Sequence, residues 1–101
     1  MPHHIETWDK ADHQALRQEL RPAHLKFLER HAEKLIACGA KLNDDGSDAG
    51  GGIYIVEIED RADVERFIES DPFHAGGLFR EVHITRWRKA YVAGQSFLPR
   101  S

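Results

Sequence analysis

The chain has 101 residues, enough for one ordinary domain, and its composition of 41% hydrophobic and 31% charged residues is typical of a folded protein rather than a disordered one. The formal net charge of −3 argues against nucleic acid or an anionic membrane as a partner. With no apolar run of 18 residues and no signal-peptide pattern, we expect a cytoplasmic protein.

The first part of the chain predicts a strand, a helical region and a second strand. Residues 3–8 alternate and indicate a short, polar strand. From Asp12 to Leu35, apolar residues recur at steps of three and four, the helical period. Because proline is well tolerated in the first turn of a helix and poorly inside one, we expect a short helical turn before Pro22 and the main helix to begin near it. Residues 36–42 predict the second strand.

The single cysteine, Cys38, lies in an apolar run of that second strand. One cysteine cannot form an internal disulfide, which fits a reducing compartment. We expect a buried small hydrophobe rather than a nucleophile.

The second part of the chain predicts a loop, a strand, a helix and a last strand. Residues 43–52 are nearly all turn formers, and residues 53–59 form the clearest strand pattern. Asp60 is a good N-cap for a helix with an apolar stripe, which must end before the Asp71-Pro72 pair. The last strand is expected over residues 79–91.

The order β-α-β-β-α-β predicts an α+β fold: a ferredoxin-like antiparallel sheet with two helices on one face. We expect one domain over residues 1–94 and a loosely held tail over residues 95–101, unless the tail packs on a partner.

The predicted sheet has an uncovered face that is also apolar. The third strand carries Ile53 and Ile55 opposite its other apolar residues, and the last strand carries Phe79 and Trp87 opposite Val82 and Ile84. Two helices cover only one face, so a second copy of the sheet is the natural cover, and we expect a homodimer.

His24 is the first candidate for chemistry. If the main helix begins near Pro22, His24 lies in its first turn, where the helix dipole disfavours the imidazolium and leaves a neutral ring that can act as a general base. The alternative is a helix-face residue bonded to a backbone group, and spacing alone favours it.

Asp71 is the second candidate and has two interpretations. It can cap the turn beyond Pro72, or it can orient His24 and stabilise its protonated form. The two residues are 47 positions apart, so spacing does not bring them together.

The remaining candidates are contacts to a substrate. Arg17 and Arg21, four residues apart, can bind an anionic group or can be surface charges paired with acids such as Glu19. His83, on the sheet face that carries Trp87, either lines the cavity or is a partly buried barrel residue. The full set of expected substrate contacts is Arg17, Arg21, Tyr54, Phe73 and His83.

We expect no metal and no cofactor. The seven histidines include no H-x-x-x-H pair, and C-x-x-C is absent. The Gly50–Gly52 run lacks a following lysine and leads into a strand, so it is not a phosphate loop.

The motifs taken together resemble the YCII-like family. The segment Arg17-x-x-x-Arg21-Pro-Ala-His24-Leu matches its R-x-x-x-R-P-x-H-L pattern, and three later motifs follow in the family's order: Gly39…Asp45-Gly46, the glycine run before Ile53, and Asp71-Pro72-Phe73…Ala75-Gly76. The resemblance covers about residues 3–90. It implies a dimeric α/β barrel and a pocket with a histidine–aspartate pair, here His24 and Asp71.

Most YCII-like proteins have no assigned reaction, and one branch removes chloride from chlorinated hydroxyhydroquinones. The resemblance therefore implies His24/Asp71-assisted proton transfer, by elimination or isomerisation, on a small aromatic or cyclic ligand. Two alternatives remain: a non-catalytic small-molecule-binding or regulatory homodimer, and a domain in which the pair has only a structural role.

Overall fold

The structure is a computed structural model that describes residues 1–99, in which four antiparallel strands form one sheet covered on one face by two helices. The elements are β1 (His3–Asp9), α1 (Gln14–Arg30), β2 (Leu35–Leu42), β3 (Asp48–Val56), α2 (Arg61–Glu69), α3 (Pro72–Ala75), β4 (Phe79–Arg86), β5 (Tyr91–Val92) and β6 (Gln95–Ser96). The sheet order β2-β3-β1-β4 confirms the predicted α+β, ferredoxin-like fold.

The core lies between the sheet and the two long helices. Asp60 is the N-cap of helix α2, as the sequence predicted: its side chain accepts a hydrogen bond from the Ala62 backbone N–H at 2.8 Å. Its apolar stripe lies against the sheet because residues three and four apart share one helix face. The buried cluster consists of Ile5, Phe27, Tyr54, Val56, Val64, Phe67 and Ile68.

The predicted break at Pro22 is wrong, because α1 runs continuously through it. Pro22 is exposed, so the carbonyl that loses its intrahelical donor, that of Gln18, lies on the solvent side of the helix, where water can bond it. The consequence concerns His24, which lies in the middle of a 17-residue helix rather than in its first turn. The helix dipole therefore does not favour a neutral His24.

The glycine run before Ile53 belongs to β3 and not to a loop, so this strand begins five residues earlier than predicted. Gly51 has a φ of +150°, and a Cβ there would lie 2.1 Å from the Thr7 carbonyl oxygen of β1. Next to it, the Gly52 N–H donates to the Thr7 hydroxyl oxygen at 2.9 Å. The glycines form a strand because their missing side chains let β1 approach closely.

Two further predictions are wrong, one about the burial of Cys38 and one about the side-chain direction of Phe79. Cys38 is exposed, because it lies on the outermost strand, β2, where no helix covers its side of the sheet fully. Phe79 lies on the helix side with Val82, where its ring packs 6.2 Å from that of Phe73. A register shift between Trp8 and Asp9 of the neighbouring strand reverses the alternation at this point.

The end of the chain differs from the expected strand and loose tail. Strand β4 ends at Arg86, and β5 pairs with β6 in a small hairpin. The predicted tail therefore includes two residues paired in this hairpin, while its last two residues, 100 and 101, lie outside the described residues. Within residues 1–99, no helix is long and apolar enough to cross a membrane.

The face of the sheet opposite the helices carries apolar and aromatic side chains. Ile53 and Ile55 of β3 are half-buried there, and the Trp8 ring lies 4.5 Å from the His83 ring on the neighbouring strands. Lys41 lies over the Trp8 ring at 4.0 Å. Within the described residues, no second layer of structure covers this face.

The substitution Gly51→Ala tests the close approach of β1 and β3. We expect it to lower the free energy of unfolding by about 2 kcal/mol or more, because the new Cβ meets the Thr7 carbonyl oxygen at a strained φ. Gly39→Ala is the matched control: a Cβ there meets nothing within 4 Å, so its effect should stay within about 0.5 kcal/mol. Urea unfolding measures both, and equal stability of the two variants would contradict this account.

Candidate active site

The structure brings His24 and Asp71 into direct contact. The His24 Nδ1 atom lies 2.9 Å from both carboxylate oxygens of Asp71. Asp71 is completely buried, and His24 is 8% exposed. Since a carboxylate only accepts, Nδ1–H is the donor in this pair and the lone pair of the neutral ring is on Nε2. Within residues 1–99, no hydrogen bond engages Nε2.

Asp71 is held by the turn that it begins. Its backbone is extended, as the residue before a proline must be, and its Oδ1 accepts from the Phe73 backbone N–H at 2.9 Å. The aspartate is therefore the N-cap of α3 and the partner of His24 at the same time. Both interpretations drawn from the sequence describe contacts that this one side chain makes.

Tyr54 completes the surroundings of Asp71. Its hydroxyl donates to Asp71 Oδ2 at 2.6 Å from β3, and the residue is only 2% exposed. Burial, and then the negative charge of Asp71, raise the pKa of Tyr54 well above its ordinary value of 10. The hydroxyl therefore keeps its proton and remains a donor throughout the neutral range.

Phe73 fixes the plane of the His24 ring. The two rings are stacked, with centroids 3.9 Å apart and an angle of 14° between their planes. On α1, two turns before His24, the Arg17 guanidinium lies 4.7 Å from the Phe73 centroid. Phe73 thus contacts two of the three candidate polar residues of α1, Arg17 and His24.

A cavity of about 210 Å³ opens beside this group. The walls come from α1, the first three strands and the α3 turn; the lining residues are Thr7, Arg17, Arg21, His24, Leu25, Leu28, Cys38, Gly39, Ala40, Gly52, Tyr54 and Phe73. His24 therefore faces the cavity while Asp71 lies behind it. Six of the seven residues singled out from the sequence belong to this one place: five of them line the cavity and Asp71 supports it.

The seventh residue, His83, does not line this cavity. It is exposed on the opposite face of the sheet, where its Nε2 lies 3.0 Å from a Glu81 carboxylate oxygen and its ring packs on Trp8. Its position on β4 pairs it with Glu6, and the alternation of the strand directs both side chains away from the helices.

The two arginines differ in their surroundings. Arg17 is buried: its Nη1 donates to Asp9 Oδ2 at 2.8 Å, and its Nη2 donates to the Gly51 carbonyl at 3.3 Å. Arg21 is exposed at the cavity. Asp9 was missed by the sequence analysis, because its contact with Arg17 depends on where β1 ends relative to α1.

Cys38 also contributes to the cavity wall. Although the residue as a whole is exposed, atoms of the cavity wall partly shield its thiol from water, and this desolvation, together with the negative charge of Asp71, raises the pKa of Cys38 to about 11. The thiol form therefore predominates at neutral pH, as it does for an ordinary wall residue. In the described part of the chain, no three or more His, Cys, Asp or Glu side chains are grouped as metal ligands.

Comparison with known proteins gives a consistent result. The profile of the YCII-related domain matches residues 1–88. Protein YciI of Escherichia coli O6:H1 is 31% identical over 94 residues, which cover 86% of this chain and 96% of that protein.

Two solved structures are also similar. The 5-chloro-2-hydroxyhydroquinone dehydrochlorinase of Burkholderia phenoliruptrix AC1100, in complex with 2,5-dihydroxybenzoquinone, has a TM-score of 0.80 and 32% identity over 87% of this chain and 94% of that one. An antibiotic biosynthesis monooxygenase has a TM-score of 0.50 at 15% identity, covering 84% of this chain and 94% of its own, and shares the fold alone.

The substitution Tyr54→Phe tests whether the Tyr54 hydroxyl stabilises the fold by donating to Asp71. At pH 7 we expect a loss of about 1.5–3 kcal/mol in the free energy of unfolding, because Asp71 loses a buried donor. A tyrosine with a raised pKa in the folded state contributes stability that is lost as the pH rises above its unfolded value of 10. The difference between wild type and variant should therefore shrink above pH 10, by up to about 1.4 kcal/mol per unit.

Denaturant unfolding between pH 7 and 11 measures this difference. Tyr91→Phe is the matched control, since Tyr91 is 62% exposed and should change little at either end of the range. A Tyr54→Phe protein as stable as wild type at pH 7 would mean that the hydroxyl does not hold Asp71.

Proposed function

The chain belongs to the YCII-related family, and we propose that it is a small cofactor-free enzyme in which His24 and Asp71 transfer a proton on a single-ring substrate. The reaction class is elimination or isomerisation, of the dehydrochlorinase type. One observation carries the proposal: Asp71 holds His24 Nδ1, while the ring, with Nε2 unengaged within residues 1–99, lines the cavity.

The proton steps follow from this geometry. Nδ1–H donates to Asp71, so the Nε2 lone pair is available to take a proton from a substrate in the cavity. The imidazolium that forms is stabilised by the buried carboxylate, which the Tyr54 hydroxyl and the Phe73 N–H keep in place. His24 then returns the proton to water or to another atom of the ring.

An elimination of this kind balances without an oxidant. A chlorinated hydroxyhydroquinone loses one proton and one chloride, which leaves with its bonding electron pair, and the ring becomes a hydroxyquinone. The enzyme has only to move protons, and a positioned base contributes roughly 10²–10⁴-fold to such a step. The similarity to a dehydrochlorinase at 32% identity and a TM-score of 0.80 supports this reaction class.

The dimensions of the cavity support a small substrate. Drug-sized ligands occupy pockets of about 300–1,000 Å³. The cavity here, at about 210 Å³, suits a molecule of one ring. Thr7, Leu25, Leu28 and Ala40 supply walls that hold the ring without reacting with it.

Chloride release from 5-chloro-2-hydroxyhydroquinone, the compound in the name of the similar dehydrochlorinase, tests the proposed reaction. We expect the wild type to release chloride and His24→Gln to lose about 10²-fold or more of that rate, with a circular dichroism spectrum that is unchanged. His74→Gln is the matched control, since His74 follows Phe73 in the chain and does not line the cavity.

Equal rates for wild type and His24→Gln would contradict the proposed role. A wild type that binds the compound and returns it unchanged would instead favour the binding or regulatory protein. In both cases the crystal or NMR position of the bound ring identifies the cavity residues that contact it.

We further propose that the protein acts in the cytoplasm as a homodimer, whose two open sheet faces pack against each other. Half-buried Ile53 and Ile55, together with Trp8, form an apolar centre on a face that no described residue covers. Sheets with one apolar uncovered face bury it against another layer. The opposite charges of Lys41 and Glu6, which lie 3.3 Å apart, flank this centre.

Light scattering during gel filtration tests the dimer. We expect a mass near twice 11.5 kDa for the wild type and near 11.5 kDa for Ile55→Asp, because an uncompensated carboxylate in a buried interface is costly. Leu42→Asp is the control: Leu42 is 58% exposed at the end of β2 and should leave the dimer intact. A monomeric wild type at micromolar concentration would contradict the proposal.

A further inference from the structure

The positively charged residues around the cavity differ in whether they are free to contact a ligand. Two arginines and His24 line it, and among residues 1–99 no carboxylate does. The two nearby acids, Asp9 and Asp71, lie behind this wall, each bonded to one of the lining cations or to the imidazole. Which positive charge a ligand meets therefore depends on which one is already neutralised.

Arg17 is already neutralised. It forms a buried ion pair with Asp9, in which the two side chains are 11% and 8% exposed. Its second terminal nitrogen is bonded to the Gly51 carbonyl, and one face of the guanidinium region lies against the Phe73 ring. A buried, compensated pair of this kind holds its geometry, because separating the charges is strongly unfavourable.

Arg21 is in the opposite situation. It follows Arg17 by one helical turn on α1, lines the same cavity and is exposed. Within the described residues, no acidic side chain forms an ion pair with its guanidinium, and no hydrogen bond fixes it. It presents a planar fork of donors that suits a carboxylate or a phenolate.

We propose that the cavity selects a ring carrying one negative charge, that Arg21 contacts this charge, and that Asp9 sets the selectivity by neutralising Arg17. The inference rests on the proposed function, since it names the charge of the ligand for the same cavity. Arg17 is then a positioning residue for Phe73 and, through it, for His24. A ligand with two negative charges finds only one cation that is free to meet it.

Pairs of ring compounds that have similar shapes and differ by one charge measure the effect of ligand charge alone. Benzamide and benzoate differ by one charge, and so do terephthalamate and terephthalate, which carry one and two. Calorimetry at low salt should give the wild type about tenfold tighter binding of benzoate than of benzamide, the difference expected for one charged hydrogen bond. Terephthalate should bind no more tightly than terephthalamate.

Variants separate the two arginines. Arg21→Gln should bind benzoate and benzamide equally, and Arg30→Gln, an exposed arginine on the same helix away from the cavity, should behave as wild type. Asp9→Asn removes the charge that neutralises Arg17, so Arg17 can meet a second negative charge on the ligand. Terephthalate should then bind about tenfold more tightly than terephthalamate. If Asp9→Asn unfolds, the double variant Asp9→Asn/Arg17→Gln removes both charges. Its affinity for both rings should fall, because Phe73 loses a packing partner, but benzoate should still bind about tenfold more tightly than benzamide.

Several outcomes would overturn the inference. A preference for benzoate that survives in Arg21→Gln, or one that is lost in the double variant, would assign the anion contact to Arg17. Tighter binding of terephthalate by the wild type would show that both arginines are available. If benzamide binds as tightly as benzoate, the cavity binds a ring but does not select for charge, and only this inference is contradicted. If neither compound binds, the proposed single-ring substrate is contradicted as well.

Discussion

The site depends on a carboxylate that has been removed from water. Asp71 is completely buried, and a buried charge is tolerated only when its hydrogen bonds are made. Its partners come from three elements: His24 of α1, Tyr54 of β3 and the Phe73 N–H of α3. Because all three must be present at once, this one side chain fixes the position of the helix relative to the sheet and of the connecting turn relative to both.

A buried ion pair holds the other end of the same helix face. Arg17 is bonded to Asp9 where β1 ends and to the Gly51 carbonyl of β3, so two neighbouring strands share one guanidinium. The Phe73 ring lies against both Arg17 and His24. The two polar centres are thus joined through an aromatic ring, and the cavity between helix and sheet has walls that are set before any ligand enters, as preorganised sites require.

The sequence predicted the order of the elements and the helix-covered core, because these follow from local periodicity. The stripe of α2 and its Asp60 cap are examples. It failed at Pro22, since a proline on the exposed side of a helix can remove one hydrogen bond of the helix without ending it, and periodicity does not report this. It also failed at the Gly50–Gly52 run, which lies in a strand because β1 needs the space that side chains would fill.

The site could be predicted only in part for a similar reason. The family resemblance paired His24 with Asp71, whereas spacing could not, because their contact depends on how α1 crosses the sheet. Asp9 carries no local signal at all: it faces Arg17 because β1 ends beside the first turns of α1, which only the tertiary fold determines. His83 was grouped with the cavity from its strand, and the alternation of that strand directs it to the other face.

The most direct test of the proton-transfer account is the tautomer of His24, read from the nitrogen-15 chemical shifts of its ring by long-range NMR correlation at neutral pH. We expect the uncharged form of the ring to carry its proton on Nδ1, bonded to Asp71, and to have a bare Nε2 that faces the cavity. A proton on Nε2 with Nδ1 bare would mean that Asp71 does not accept from His24, and would contradict the proposed base.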